Sequence, residues 1–178
     1  MPSLRSAVML LLVIVMPVLV FAKRKNNPSA AADKYYIIVD KSDNTLTVYD
    51  VHDWIVQYPC TFGSPDLGDK MVEGDRKTPN GIYHILAKNF HAKWDRFMAL
   101  DYPTKADYAK FNQRKAAGLI PQNAKIGGSI GIHGTWPHEE WAVENLQSWT
   151  QGCISMKNED VEELFNMVPV GTKVIIQP

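Results

Sequence analysis

Apolar and polar positions alternate with a period of two through much of this chain. "YYIIVD" and "TLTVYD" are rich in β-branched and aromatic residues, and "KSDN" between them supplies turn formers, so the pattern predicts two strands joined by a turn. "WIVQYPCTFG" predicts a third strand, with Pro59 marking an edge or a strand end. "TPNG" reads as a turn and "GIYHIL" as the strand leaving it, while "GGSIGIHGT" reads as a short strand running into a glycine turn. "TKVIIQP" predicts a closing strand. Two stretches show helical spacing instead. "ADYAKFNQRKAAGL" offers Gly118 as its C-cap, and "NEDVEELFNMV" offers Asn158 as N-cap with acidic residues in its first turn. Lys88 to Lys125 otherwise shows no clear strand period. The expected fold class is mainly β: a β-sandwich of two sheets packed face to face, with a few short helices.

The first residues differ in kind. "AVMLLLVIVMPVLVFA", Ala7 to Ala22, carries no charge and follows Arg5, the pattern of an export signal. Ala30-x-Ala32 and "VFA" at Val20–Ala22 are candidate cleavage sites. Pro17, which interrupts the apolar run, and Lys23-Arg24-Lys25 behind it count against clean cleavage, and the trailing positive charge favours an uncleaved anchor instead. Residues 1–32 are therefore expected to be a signal peptide or N-terminal anchor with a linker, and residues 33–178 a single domain. That organisation predicts an exported protein of the periplasm or cell envelope, touching membrane only through the N-terminal segment if it stays uncleaved.

The composition, 46% hydrophobic and 21% charged, is that of a globular chain, and the formal net charge is zero. No basic stripe runs through the body of the sequence, so nucleic acid is not an expected partner.

Chemistry narrows to a few residues. The chain has two cysteines, and Cys153 lies in "WTQGCISMKNED", directly after a glycine. A nucleophilic cysteine needs a base to hold it as thiolate and donors to receive an oxyanion. Gly152 allows a sharp turn and close substrate approach, and amides around 150–153 are candidate donors. Of the five histidines, His133 is best placed, at the end of an apolar strand with glycine next. A Cys60–Cys153 disulfide is the competing reading for an exported chain. "HGTWPHEEW" gathers His133, His138, Glu139 and Glu140, but Pro137 breaks any helix and the order is not that of a zinc helix, so no metal is expected.

"IHGT" followed after a loop by "TQGCI" resembles the L,D-transpeptidase catalytic domain family, the YkuD type. "GDRKTPNGIYHI" (Gly74–Ile85) is similar to that family's Gly-Asp-x-x-Thr-Pro-x-Gly block, and "NEDVEELFNMVPVGTKVII" to its C-terminal helix and strand. The resemblance spans roughly Lys34 to Ile176. It departs at Gln151, where the family usually has histidine, and at Ser155, where it usually has Asn or Arg.

The resemblance implies that Cys153 is the nucleophile and His133 the general base, oriented by a backbone carbonyl near Gly134. Gly152, Gly134 and Thr150 then serve as oxyanion or backbone support, and Gln151, Ser155 and Trp149 as substrate contacts. It implies peptidoglycan stem peptides as the partner, no cofactor, and transfer through a Cys153 thioester. The same pair could hydrolyse instead, as an L,D-carboxypeptidase or amidase, and a non-catalytic wall-binding module is the reading from another class. With the resemblance in place, Cys60 reads as a small buried hydrophobe. "WPHEEW" reads as a loop roofing the site, packed through Trp136, Trp141 and Trp149. Asp75, Lys77 and Thr78 read as residues that shape a turn.

Overall fold

A computed structural model describes residues 34–178, so the expected signal or anchor lies outside the described residues. In chain order the elements are β1 (Tyr36–Asp40), β2 (Thr45–Tyr49), β3 (Trp54–Pro59), β4 (Gly81–His91), β5 (Asp95–Leu100), α1 (Lys105–Ala116), β6 (Gly131–His133), α2 (Trp141–Glu144), β7 (Ile154–Ser155), α3 (Asn158–Met167) and β8 (Lys173–Gln177). The predicted meander is present: β1, β2 and β3 pair antiparallel, and Pro59 ends the edge strand β3.

The two expected layers are two halves of one eight-stranded sheet, ordered β3-β2-β1-β8-β4-β5-β6-β7. The long strand β4 belongs to both halves. Its first residues, Gly81–His84, pair with β8, and Ile85–His91 pair with β5. A register shift between Ile85 and Ala87 marks the change of partner, as expected where a strand must bend. Curling brings the far edges together. Thr61, just beyond β3, and Ser155 of β7 exchange both backbone hydrogen bonds, each 2.9 Å long.

One core fills the space between the halves. Alternation aims Ile37 and Val39 of β1, Leu46 and Val48 of β2 and Val174 and Ile176 of β8 inward. Met98, Leu100, Ile132 and Ile154 meet them from the other half, and Val161 and Leu164 of α3 cover that side. Each such aliphatic side chain stabilises the fold by roughly 1.5–3 kcal/mol through burial.

The helices follow local chemistry. α1 opens with a capping box between Thr104 and Asp107, and Gly118 takes φ +70° just past the cap residue Ala117. The N-cap of α3 is Lys157, not Asn158. Asn158 is the first helical residue, and its side chain is engaged elsewhere: Oδ1 accepts from the Thr135 amide at 2.9 Å and Nδ2 donates to Glu140 at 3.0 Å.

Candidate active site

β6 is only three residues long, yet it is held on both sides. Phe97 of β5 pairs with His133, and His133 pairs with Ser155 of β7. His133 is therefore fixed at the strand end and only 2% exposed. Its Nδ1 lies 2.6 Å from the Gly134 carbonyl oxygen. A carbonyl only accepts, so Nδ1 carries the proton and Nε2 keeps its lone pair. The ring is walled by aromatics. Trp94 stacks on it at 4.6 Å with planes 24° apart, Phe97 lies at 6.0 Å, and Trp149 meets it edge-on at 5.5 Å. Burial pushes the imidazole down from 6.5 to about 4, against the Gly134 carbonyl, which favours the charged form. At neutral pH His133 is a neutral base.

Gly134 has no room for a side chain. A Cβ there would collide with Asn158 Oδ1 and lie 2.9 Å from the Trp94 carbonyl, which accepts the Gly134 amide at 3.0 Å. The glycine thus lets two segments close on the histidine's orienting carbonyl.

The cysteine turn is built in a similar way. Thr150 Oγ1 donates to the Cys153 carbonyl at 2.8 Å and accepts from the Gly152 amide at 3.2 Å. Gly152 sits at φ +123°, with the Lys77 carbonyl 2.7 Å from where a Cβ would stand. Arg76 reaches across to the carbonyls of Thr150 (3.3 Å) and Ser148 (3.0 Å). The glycine-rich block before β4 is in this way clamped to the cysteine turn. Asp75 shapes that block as expected, accepting from the amides of Met71, Val72 and Lys77 and from Lys70 at 2.7 Å.

Cys153 Sγ lies 3.4 Å from the Ser129 carbonyl. Burial drives its thiol up from 9.0 to about 11; the Gly131 amide and the Lys70 charge oppose this and do not prevail. Burial thus favours the uncharged form of each group, a thiol and a neutral imidazole, over the thiolate that the sequence led one to expect.

Cys153 and His133 line one pocket of about 340 Å³, with Trp94, Phe97, Ser129, Ile130, Trp149 and Gln151 among its walls. Gln151 is exposed at this pocket. Trp149 contributes an indole wall whose Nε1 has no partner. Ser155 does not reach the pocket. It is fully buried, with its hydroxyl 3.5 Å from the Gly134 carbonyl, because β7 lies between β6 and Thr61. The Gly152 amide, expected as an oxyanion donor, is taken by Thr150, so Gly152 and Thr150 act on the turn's shape. Of the three tryptophans expected to roof the site, only Trp149 lines it; Trp136 and Trp141 are exposed, the latter in the short helix α2. Cys60 is a free thiol with no exposed surface, as read, and burial raises its pKa.

Sequence reasoning missed Trp94, Phe97, Ser129 and Ile130. The first two reach His133 only through the pairing of β5 with β6, which the pattern of residues 88–125 did not announce.

The sequence profile of the YkuD family, the L,D-transpeptidase catalytic domain, matches residues 34–176. A Bacillus subtilis (strain 168) protein assigned by name to the L,D-transpeptidases, YqjB, is 30% identical over 154 residues, covering 79% of this chain and 70% of that one. The fold is similar to that of Bd1075 from Bdellovibrio bacteriovorus (TM-score 0.60, 22% identity, 83% of this chain and 48% of that chain). It is also similar to that of the helical cell shape determining protein Pgp2 from Campylobacter jejuni (TM-score 0.59, 24% identity, 80% and 46%). This chain spans about half the length of those two solved structures. A profile match over all but the last two described residues, on a fold shared with these structures, identifies the chain as a member of the L,D-transpeptidase catalytic domain family.

Proposed function

We propose that the protein is a cysteine-dependent L,D-transpeptidase acting on peptidoglycan stem peptides. The observation that carries this is the arrangement of His133: proton on Nδ1 toward Gly134, lone pair on Nε2, ring clamped by aromatics, in one pocket with Cys153. A neutral thiol beside a neutral base suits attack coupled to proton transfer. The Cys153 sulfur adds to the carbonyl carbon of an L,D-peptide bond at a diamino acid while Nε2 takes the thiol proton. The tetrahedral oxyanion collapses, the C–N bond breaks, and the imidazolium gives its proton to the departing amine. A thioester remains on Cys153. The amine of a second stem attacks it, Nε2 receives the amine's proton, and the sulfur leaves and is reprotonated. The product is a direct bond between two diamino acids. Water in place of the second amine would give hydrolysis.

Intact-mass measurement of the protein incubated with a disaccharide tetrapeptide tests the first half. An adduct equal to the stem less its terminal residue, absent in Cys153→Ala, is expected. Turnover by Cys153→Ala would overturn the assignment, and binding without any adduct would indicate a wall-binding module. We further propose that residues 1–32 direct export to the periplasm or cell envelope. A fusion of this segment to alkaline phosphatase, which gains activity only outside the cytoplasm, should be active; an inactive fusion would refute export.

A further inference from the structure

A second cavity, of about 370 Å³, is lined by His91, whose ring stacks on Trp94, the ring that stacks on His133. His91, Lys93, Asp95, Thr135, Glu159 and Glu162 are among its walls, and it shares no residue with the Cys153 pocket. Three carboxylates face a single lysine there, and Lys93 Nζ is drawn over the Trp136 ring at 5.0 Å. Arg96 answers part of that charge, reaching Asp95 at 2.5 Å and Glu162 at 3.2 Å from the next position in β5.

Carboxylates alone would be a solvated face. The second observation is polar groups left without partners. Of the eight buried side-chain atoms lacking a hydrogen bond among the described residues, two are acceptors on residues that line this cavity: Asp95 Oδ2 and Thr135 Oγ1. Thr135 is 1% exposed and is itself a wall of the cavity. A buried hydroxyl left unpaired has lost its water without replacement, so an occupant that answers it is favoured. Asp95 adopts φ +58°, a backbone conformation that side chains rarely take, and it turns its carboxylate toward Glu162 and Arg96. No group of three His, Cys, Asp or Glu among the described residues is arranged to hold a metal ion. The charge therefore fits an organic cation better than a metal.

We propose that this cavity binds a primary ammonium group, with Asp95 Oδ2, the oxygen that Arg96 leaves free, and Glu162 as its counter-charges and the Thr135 hydroxyl as a further acceptor. An ammonium donates three hydrogen bonds and accepts none, which matches two carboxylates and one hydroxyl. The site does not depend on the reaction at Cys153. Its walls do touch those of His133. His91 stacks on Trp94 at 4.3 Å, on the ring that in turn stacks on His133, and the Thr135 amide is tied to Asn158. An occupant would press on the segments that hold His133.

The test is a titration of the 15N-labelled Cys153→Ala protein, in which no acyl chemistry intervenes. 1,5-Diaminopentane should shift the Thr135 amide and the Trp94 indole signal saturably, and 1,5-pentanediol should not. Asp95→Asn/Glu162→Gln, which removes both counter-charges and touches no residue of the reaction, should weaken the diamine by about tenfold or more. Competition by a disaccharide tetrapeptide would identify the stem's own diamino acid as the source of the ammonium, and its failure to compete would identify a free amine. An absence of saturation, equal binding of the diol, or unchanged affinity in the double variant would overturn the proposal. None of these outcomes bears on whether Cys153 forms a thioester.

Discussion

Raising the pH exposes the resting state of Cys153 directly. Its thiol is pushed up from 9.0 to about 11 by burial. The thiolate fraction at pH 7 is then about 10⁻⁴, against about 10⁻² for a thiol left at its ordinary value. Iodoacetamide reacts with the thiolate, so the rate should follow that fraction. The expected profile climbs about tenfold per pH unit from 7 to 10 and bends only near 11. Its shape, unlike the absolute rate, does not depend on how freely the reagent enters the pocket. Cys60 has no exposed surface and stays silent in the folded protein; Cys153→Ala supplies the blank. The same profile is expected for His133→Ala, because a neutral imidazole stabilises no resting thiolate. A rate that is already flat between pH 5 and 8, and that drops in His133→Ala, would show a preformed thiolate–imidazolium pair and refute the reasoning.

Other expectations rest on the same contacts. His133 has a folded pKa near 4, below 6.5 when unfolded, so its contribution to stability is present above pH 6.5 and is lost as pH falls from 6.5 toward 4. That amounts to about 3 kcal/mol, visible in urea titrations at several pH values and absent from His133→Phe. Gly134→Ala should destabilise by roughly 1–3 kcal/mol, because its Cβ meets Asn158 and the Trp94 carbonyl, and should slow acylation more than tenfold; intact-mass time courses and thermal melts check both. Asp75→Ala leaves Lys70, 5% exposed, without its ion-pair partner and should cost about 3–5 kcal/mol in denaturant unfolding; a loss under about 1 kcal/mol would contradict the pairing.

Much of this was legible in the sequence. The first three strands, the closing strand and both long helices follow from alternation, turn formers and helical spacing, all of which are local signals. Their glycine settings singled out Cys153 and His133 as candidates, and the family resemblance implied their roles. The hairpin of β4 and β5 was not. The shift at Ile85/Ala87 breaks the period of two, and the turn "HAKWD" contains no Gly, Pro or Asn, its tight geometry being taken up by Asp95 at φ +58°. Trp94 and Phe97 were lost to the site with that hairpin. Ser155 and Asn158 were misread for a related reason. Asn158 follows the local rule for an N-cap and Ser155 was placed by the resemblance, yet tertiary contacts claim both side chains: Ser155 sits behind Gly134, and Asn158 holds the Thr135 amide. The resting charge of Cys153 and His133 is likewise governed by burial, which only the assembled fold displays.

The most direct test of the central claim is mass spectrometry of the protein incubated with disaccharide tetrapeptides and of the products it releases. The account predicts a cross-linked dimer joined by a direct diamino-acid-to-diamino-acid bond, formed by the wild type and lost in Cys153→Ala and His133→Ala. Shortened monomers without any dimer would contradict transfer and make the protein a hydrolase built on the same Cys–His pair.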